Sequence, residues 1–128
     1  MQYIELVAAL AVLQFVFFGA MTAKARVDSG LKAPAMTGHD GFERMYRVQM
    51  NTLETLVAFL PALFLAGQHW SSLLVSGLGV IYLIGRLIYW RAYVADPAKR
   101  GLGYVLSIIP TMLLIILAIV GPIINLVA

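Results

Sequence analysis

Cysteine is absent from this sequence, which excludes disulfide staples, thiolate metal sites and a cysteine nucleophile. Any thiol chemistry must therefore use a thiol brought by a ligand. Charge is also scarce: Asp, Glu, Lys and Arg make up 12% of the 128 residues, against 62% hydrophobic residues and a mean hydropathy of +0.91. A soluble domain carries about 25% charged residues, so the chain reads as an all-α integral membrane protein. The histidines His39 and His69 lack metal-ligand spacing, and no metal is expected. At about 20 residues per span plus connections, the length holds four spans in a single membrane domain over residues 1–128, with no separate soluble domain.

Four apolar blocks are present, Tyr3 to Ala25, Phe42 to Gly67, Ser71 to Tyr93 and Leu102 to Leu126. They predict an up-down four-helix bundle. Pro61, Pro110 and Pro122 lie inside blocks, and Pro61 and Pro110 are read as kinks, because neighbouring helices can satisfy the carbonyls a proline frees. The first block has no basic n-region and carries Glu5, so it reads as a span rather than a cleaved signal peptide. Basic residues fall in two connections, with Lys24, Arg26 and Lys32 after the first block and Arg91, Lys99 and Arg100 after the third. The positive-inside rule then puts both termini outside and both basic connections in the cytoplasm. A short chain without a C-terminal retention signal fits a bacterial inner membrane. The net charge of +3 follows from the same asymmetry, and no nucleic-acid partner is read from it.

Into this apolar background runs E-R-M-Y-R-V-Q-M-N-T-L-E, Glu43 to Glu54. At about 100° per residue, Arg44, Arg47, Asn51 and Glu54 fall within an arc of about 80°. A charge at membrane depth costs about 2.5–3.5 kcal/mol on insertion scales, so such a stripe faces a protein interior or a wet cavity. The third block adds Tyr82, Arg86, Tyr89 and Tyr93 within about 60°. Arg86 lies deep enough to need a carboxylate, and Glu54 is the expected partner of one of the buried arginines. Interhelical hydrogen bonding alone would also account for each residue taken singly. Two polar stripes densest towards the same membrane face favour a ligand pocket.

Other residues have plainer readings. Glu5 is near a helix end and solvated, Trp70, Tyr3, Trp90 and Tyr93 suit an interfacial aromatic belt, although for Tyr93 this competes with the stripe, and Met36, Met45 and Met50 suit packing. Gly77, Gly79 and Gly85, with Ser72 and Ser76, would let helix backbones approach closely.

The segment Glu43 to Glu54, with Phe42 before it and A-F-L-P-A-L-F-L-A-G after it, resembles the second-helix signature of the MAPEG family, the membrane-associated proteins in eicosanoid and glutathione metabolism. V-I-Y-L-I-G-R-L-I-Y-W-R-A-Y, Val80 to Tyr93, resembles the family's third helix. D-P-A-K-R-G-L-G-Y, Asp96 to Tyr104, is similar to the arginine-bearing connection of its microsomal glutathione transferases. The resemblance covers essentially the whole chain. It implies a homotrimer of four-helix subunits with glutathione, as co-substrate, at each subunit interface on the cytoplasmic side. Carried over by motif, Arg47, Asn51, Glu54, Tyr89 and Tyr93 would hold the tripeptide from one subunit, with Arg86 in the same helix. Arg26 and Gln49 would reach in from the neighbour. Arg100 would stabilise the thiolate, and Tyr104 could donate a hydrogen bond near the sulfur or simply pack at the helix start.

The charges suit that ligand, because a peptide with two carboxylates and an ammonium needs several cations and an acid, which Arg26, Arg47 and Glu54 supply. The implied activity is a glutathione transferase, with peroxidase activity, acting on lipophilic electrophiles or lipid hydroperoxides. Thr55 stands where the leukotriene-forming synthase has a tyrosine, and Gly101 where the prostaglandin E synthase has a serine, which argues against a dedicated eicosanoid synthase. A small proton-coupled multidrug transporter is the rival from another class, but its membrane carboxylate would have to be Glu5, too close to the end of the span. A non-catalytic member of the same family is the third reading.

Overall fold

A computed structural model describes residues 1–128, which form four long helices: α1 (Gln2–Ser29), α2 (Asp40–Gly67), α3 (Ser72–Ala95) and α4 (Gly101–Val127), with one 3-10 turn, Pro97–Lys99, before α4. Each of the four is long and apolar enough to cross a membrane. At 1.5 Å per residue they run about 36–42 Å, beyond the roughly 30 Å of hydrocarbon in a bilayer. Their ends can therefore reach the polar interface on both sides.

Local chemistry sets the ends. Gly30 closes α1 in the left-handed conformation, φ 74°, with its N–H on the Val27 carbonyl. His39, read from the sequence as an isolated loop residue, caps α2 through Nδ1, which accepts from the Phe42 N–H at 3.2 Å. Glu43 reaches back to the Gly38 N–H at 3.1 Å, a reciprocal arrangement that satisfies a second donor at the helix start. Ser71 caps α3, and Asp96 caps the 3-10 turn by accepting from the Ala98 N–H. Pro61, Pro110 and Pro122 all lie within continuous helix.

α1 packs on α2 and α3, and α4 packs on the same two helices, so α2 and α3 form the centre with α1 and α4 at opposite sides. α3 and α4 approach most closely. A Cβ at Gly85 would meet the Leu106 backbone, and one at Gly103 would run into the backbone of Tyr89, so both positions require glycine. Gly79 likewise leaves room for Val7, whereas Gly77 faces open space and has no packing role within the chain, contrary to expectation.

The apolar core is in two parts. The larger cluster, built around Ile4, Phe59, Leu63, Val75 and Leu114, occupies the end with the α2–α3 turn. The smaller, Phe18, Met45, Val48 and Tyr89, lies towards the end with the two basic connections. Between them in the order of residues along α2 and α3 comes a polar layer, Asn51 and Thr52 on one helix and Arg86 on the other. The Trp70 indole donates to the Leu117 carbonyl at 2.9 Å, which ties α4 to the turn.

Candidate functional site

Arg86 is 0% exposed in the middle of α3. Its Nε donates to Ser107 Oγ of α4 at 2.8 Å, and its Nη1 to Asn51 Oδ1 at 2.7 Å and Thr52 Oγ1 at 3.3 Å on α2. The guanidinium also lies 4.4 Å from the Tyr89 ring centroid and 5.9 Å from that of Tyr82. Neutral oxygens and two aromatic faces thus compensate a buried cation. The expected carboxylate partner is not there: Glu54 is exposed and forms no ion pair within the chain. The reason is geometric. Asn51 and Thr52 point towards α3 and α4, while Glu54 lies further round α2 on its outer face.

Ser107 keeps its place by donating to the Gly103 carbonyl at 2.7 Å. Thr52 does the same with the Val48 carbonyl at 2.8 Å. Both hydroxyls are therefore oriented with lone pairs free for Arg86. Arg86 Nη2 is buried with no partner, leaving donor capacity in the layer. One turn away the Thr55 and Tyr82 hydroxyls share a hydrogen bond of 2.8 Å, and the Tyr82 ring stacks on Phe59 at 3.8 Å. Tyr82 thus belongs to the core rather than to a ligand surface.

Above Arg86, towards the basic connections, a pocket of about 510 Å³ is lined by Arg47, Asn51, Tyr89, Tyr93, Arg100 and Tyr104. It draws on α2, α3 and the start of α4. Asn51 is oriented by the bond its Oδ1 accepts, and its Nδ2 has no partner in the chain. The Tyr89 and Tyr93 rings lie 5.5 Å apart at 32°. Arg100 is held by its own loop, Nη1 donating to the Pro97 carbonyl at 2.8 Å, with the rest of its guanidinium available. The lining contains two cations, three phenols and an amide, with no carboxylate. Such a set binds anions through charge-assisted hydrogen bonds and can stabilise negative charge on a bound atom near Arg100 and Tyr104.

The remaining sequence-derived residues lie elsewhere in the chain. Arg86 sits beneath the pocket as its anchor. Arg26, at the end of α1, donates to the Ala35 carbonyl at 2.8 Å and lies 4.4 Å over the Phe42 ring. Gln49 lies against Gly19 of α1 with no hydrogen bond. Arg26 and Gln49 are thus on the α1–α2 side, and with Glu54 they stay outside the pocket of their own chain. Arg44, part of the same stripe, is structural: it pairs with Asp40 at 2.9 Å and donates to the Val94 and Ala95 carbonyls, closing the end of α3. Sequence reasoning missed Ser107 and Thr52; the available signal was small hydroxyl residues within apolar helices, where each needs a reason to be buried. No cluster of His, Asp or Glu is arranged to hold a metal ion.

The residue pattern of the MAPEG family matches residues 4–120. The chain is 36% identical over 116 residues to an uncharacterized protein of Synechocystis sp., an alignment that covers 91% of this chain and 85% of that protein. It is 34% identical over 115 residues to microsomal glutathione S-transferase 2 of Homo sapiens, covering 90% of this chain and 78% of the relative. It is 32% identical over 115 residues to leukotriene C4 synthase of Bos taurus, covering 90% and 77% respectively. A family match along nearly the whole length, together with four helices fit to cross a bilayer, makes this multi-pass membrane protein a member of the MAPEG family.

Proposed function

We propose that the protein is a membrane-bound glutathione transferase that presents the glutathione thiolate to lipophilic electrophiles, with lipid hydroperoxides as alternative substrates. The observation that carries this reading is the pocket in which Arg47, Arg100, Asn51 and three tyrosines converge, in a chain similar to a glutathione S-transferase. Its volume of about 510 Å³ lies within the range of about 300–1,000 Å³ usual for small-molecule sites. Arg47 and the Asn51 amide take a carboxylate and a peptide carbonyl, while Tyr89 and Tyr93 supply hydroxyl donors and flat apolar faces.

Arg100 faces the sulfur. A cysteine thiol has a reference pKa of about 8.5, and holding it two units lower takes about 2.7 kcal/mol of preferential thiolate stabilisation. One guanidinium in a partly dry site supplies that much, and the Tyr104 hydroxyl adds a hydrogen bond to the same atom. In conjugation the sulfur forms a bond to an electrophilic carbon while the leaving group departs with its electron pair. In peroxide reduction two thiols become one disulfide as the hydroperoxide becomes an alcohol and water.

An assembly of subunits completes the site. Glu54 is an unpaired acid on the outside of a single chain, fourteen residues into α2, which puts it about 21 Å along the helix. A bare carboxylate at that depth in lipid is costly, and a neighbouring subunit removes it from lipid. Arg26 and Gln49, on the α1–α2 side, are then available to the pocket of the next copy. We therefore infer a homotrimer with glutathione at each interface. The basic connections support a cytoplasmic opening for the pocket under the positive-inside rule; in this reading the membrane is a bacterial inner membrane and the lipophilic substrate arrives from the bilayer.

The experiment is thiolate absorbance in the ultraviolet when glutathione is added to the detergent-purified protein at neutral pH, with Arg100→Ala and Glu54→Ala alongside. The expected result is a thiolate band in the wild type, lost in Arg100→Ala, and weaker glutathione binding in Glu54→Ala. No band and no glutathione binding in the wild type would overturn the reading.

A further inference from the structure

On the side of the bundle away from the pocket, α1 and α3 enclose an apolar groove of about 530 Å³ lined by Leu10, Leu13, Gln14, Phe17, Leu87 and Trp90 among others. Gln14 Nε2 donates to the Leu83 carbonyl at 3.0 Å, which ties the two helices together there. Trp90 also lines a second cavity, of about 310 Å³, whose walls include Met21, Val94, Lys24, Asp28 and Arg91. The two spaces share that one side chain, whose ring packs on Phe17 and Phe18 of α1. The first is apolar and the second carries two cations and one acid, Lys24 bridging to Asp28 at 2.9 Å and Arg91 lying 5.2 Å over the Trp90 ring.

The dimensions match one lipid leaflet. From Leu10 to Met21 along α1 is about 16 Å, and half of a bilayer's hydrocarbon core is about 15 Å. The apolar groove by itself covers Leu10 to Phe17, about 10 Å; the depth of an acyl chain is reached only with Met21 and Val94 of the second cavity, whose Lys24 and Arg91 stand at the end of the bundle with the basic connections. The tryptophan at the junction is the residue type that sits at this boundary.

We propose that these two neighbouring spaces together bind one anionic glycerophospholipid, with an acyl chain between α1 and α3, passing Trp90, and its phosphate between Lys24 and Arg91. Charge complementarity selects the occupant: the groove's headgroup end keeps a net positive charge after the Lys24–Asp28 pair is formed, and a zwitterionic lipid gains less from it. The site is separate from the α2–α3–α4 pocket and shares no lining residue with it. Its occupancy does not depend on the enzymatic reading above.

The test is native mass spectrometry of the full chain, delipidated in mild detergent and titrated with phosphatidylglycerol or phosphatidylcholine of identical acyl chains. The wild type is expected to retain phosphatidylglycerol about tenfold more tightly, the effect of two basic side chains at a membrane surface partly offset by an acid. Lys24→Gln with Arg91→Gln, both exposed positions, abolishes the preference. Lys32→Gln with Lys99→Gln, exposed cations outside the groove, leaves it. Leu87→Trp, at a side chain 45% exposed, fills the groove and lowers retention of both lipids severalfold. Glutathione binding is unchanged in every variant. Equal retention of the two lipids by the wild type, or equal loss of preference in both charge variants, would overturn the site. A change of subunit number in Leu87→Trp would overturn it too, by assigning the groove to a second copy of the chain.

Discussion

Phe59 and Arg86 are both 0% exposed, one in each half of the same bundle, and they are buried for opposite reasons. Around Phe59 the side chains are apolar, with the Tyr82 ring stacked on it at 3.8 Å. Around Arg86 every helix of the α2–α3–α4 group contributes an oxygen or a ring face. Close packing gives the first region its stability. The second gives up some stability to desolvation and in exchange orients Asn51 and Tyr89 in the pocket wall. The difference teaches that burial does not report role. In this protein the polar pocket rests on a buried cation, while the other half holds the bundle together.

If that division is right, lesions in the two halves separate stability from binding. Phe59→Ala should cost the most, about 3 kcal/mol or more, read as a fall in melting temperature in detergent, with glutathione affinity of the folded fraction unchanged. Gly103→Val should cost about 3 kcal/mol, because a branched side chain has no room against the Tyr89 backbone. It sharpens the comparison by lowering both melting temperature and glutathione affinity, since Tyr89 lines the pocket. Arg100→Ala should raise the midpoint of thiolate formation in an absorbance titration by about two pH units, the loss of about 2.7 kcal/mol, with melting temperature essentially unmoved. Arg86→Met should weaken glutathione at least about tenfold, or 1.4 kcal/mol, in equilibrium binding, with a stability change of under about 1.5 kcal/mol, because it removes a desolvated charge while keeping most of the volume. Thr55→Val should be smallest, about 1 kcal/mol for the lost bond to Tyr82, seen in melting and not in binding. An Arg86→Met protein that melts like Phe59→Ala while binding normally would break the comparison.

The four helices and the family were legible because each rests on a local signal: apolar blocks of spanning length, and motifs such as E-R-M-Y-R-V-Q-M-N-T-L-E. The two polar stripes were visible as periodicity. What periodicity could not say was which residue on an opposing helix meets each stripe member. Charge alone therefore points to Glu54 as the partner of one of the buried arginines, whereas the contacts of Arg86 are Asn51, Thr52 and Ser107. Arg44 and Arg47 looked alike on one stripe, yet one closes the end of α3 and the other lines a pocket. His39 shows the same limit at a shorter range, since a cap depends on the backbone turning at that residue.

By itself the sequence determined that the chain crosses a membrane on four helices, that no thiol of its own takes part in chemistry, and which helix faces carry charge. These follow from composition and from the fixed geometry of a helix, which need no partner to be defined. Only the tertiary structure decided that α2, α3 and α4 gather Arg47, Asn51, Tyr89, Tyr93, Arg100 and Tyr104 about one pocket above Arg86. It also decided that α1 and α3 leave an apolar groove on the other side. The physical reason is that a side chain's neighbours depend on how helices cross. Those crossings are set by close approach at residues such as Gly85 and Gly103, through the packing of surfaces distant in sequence.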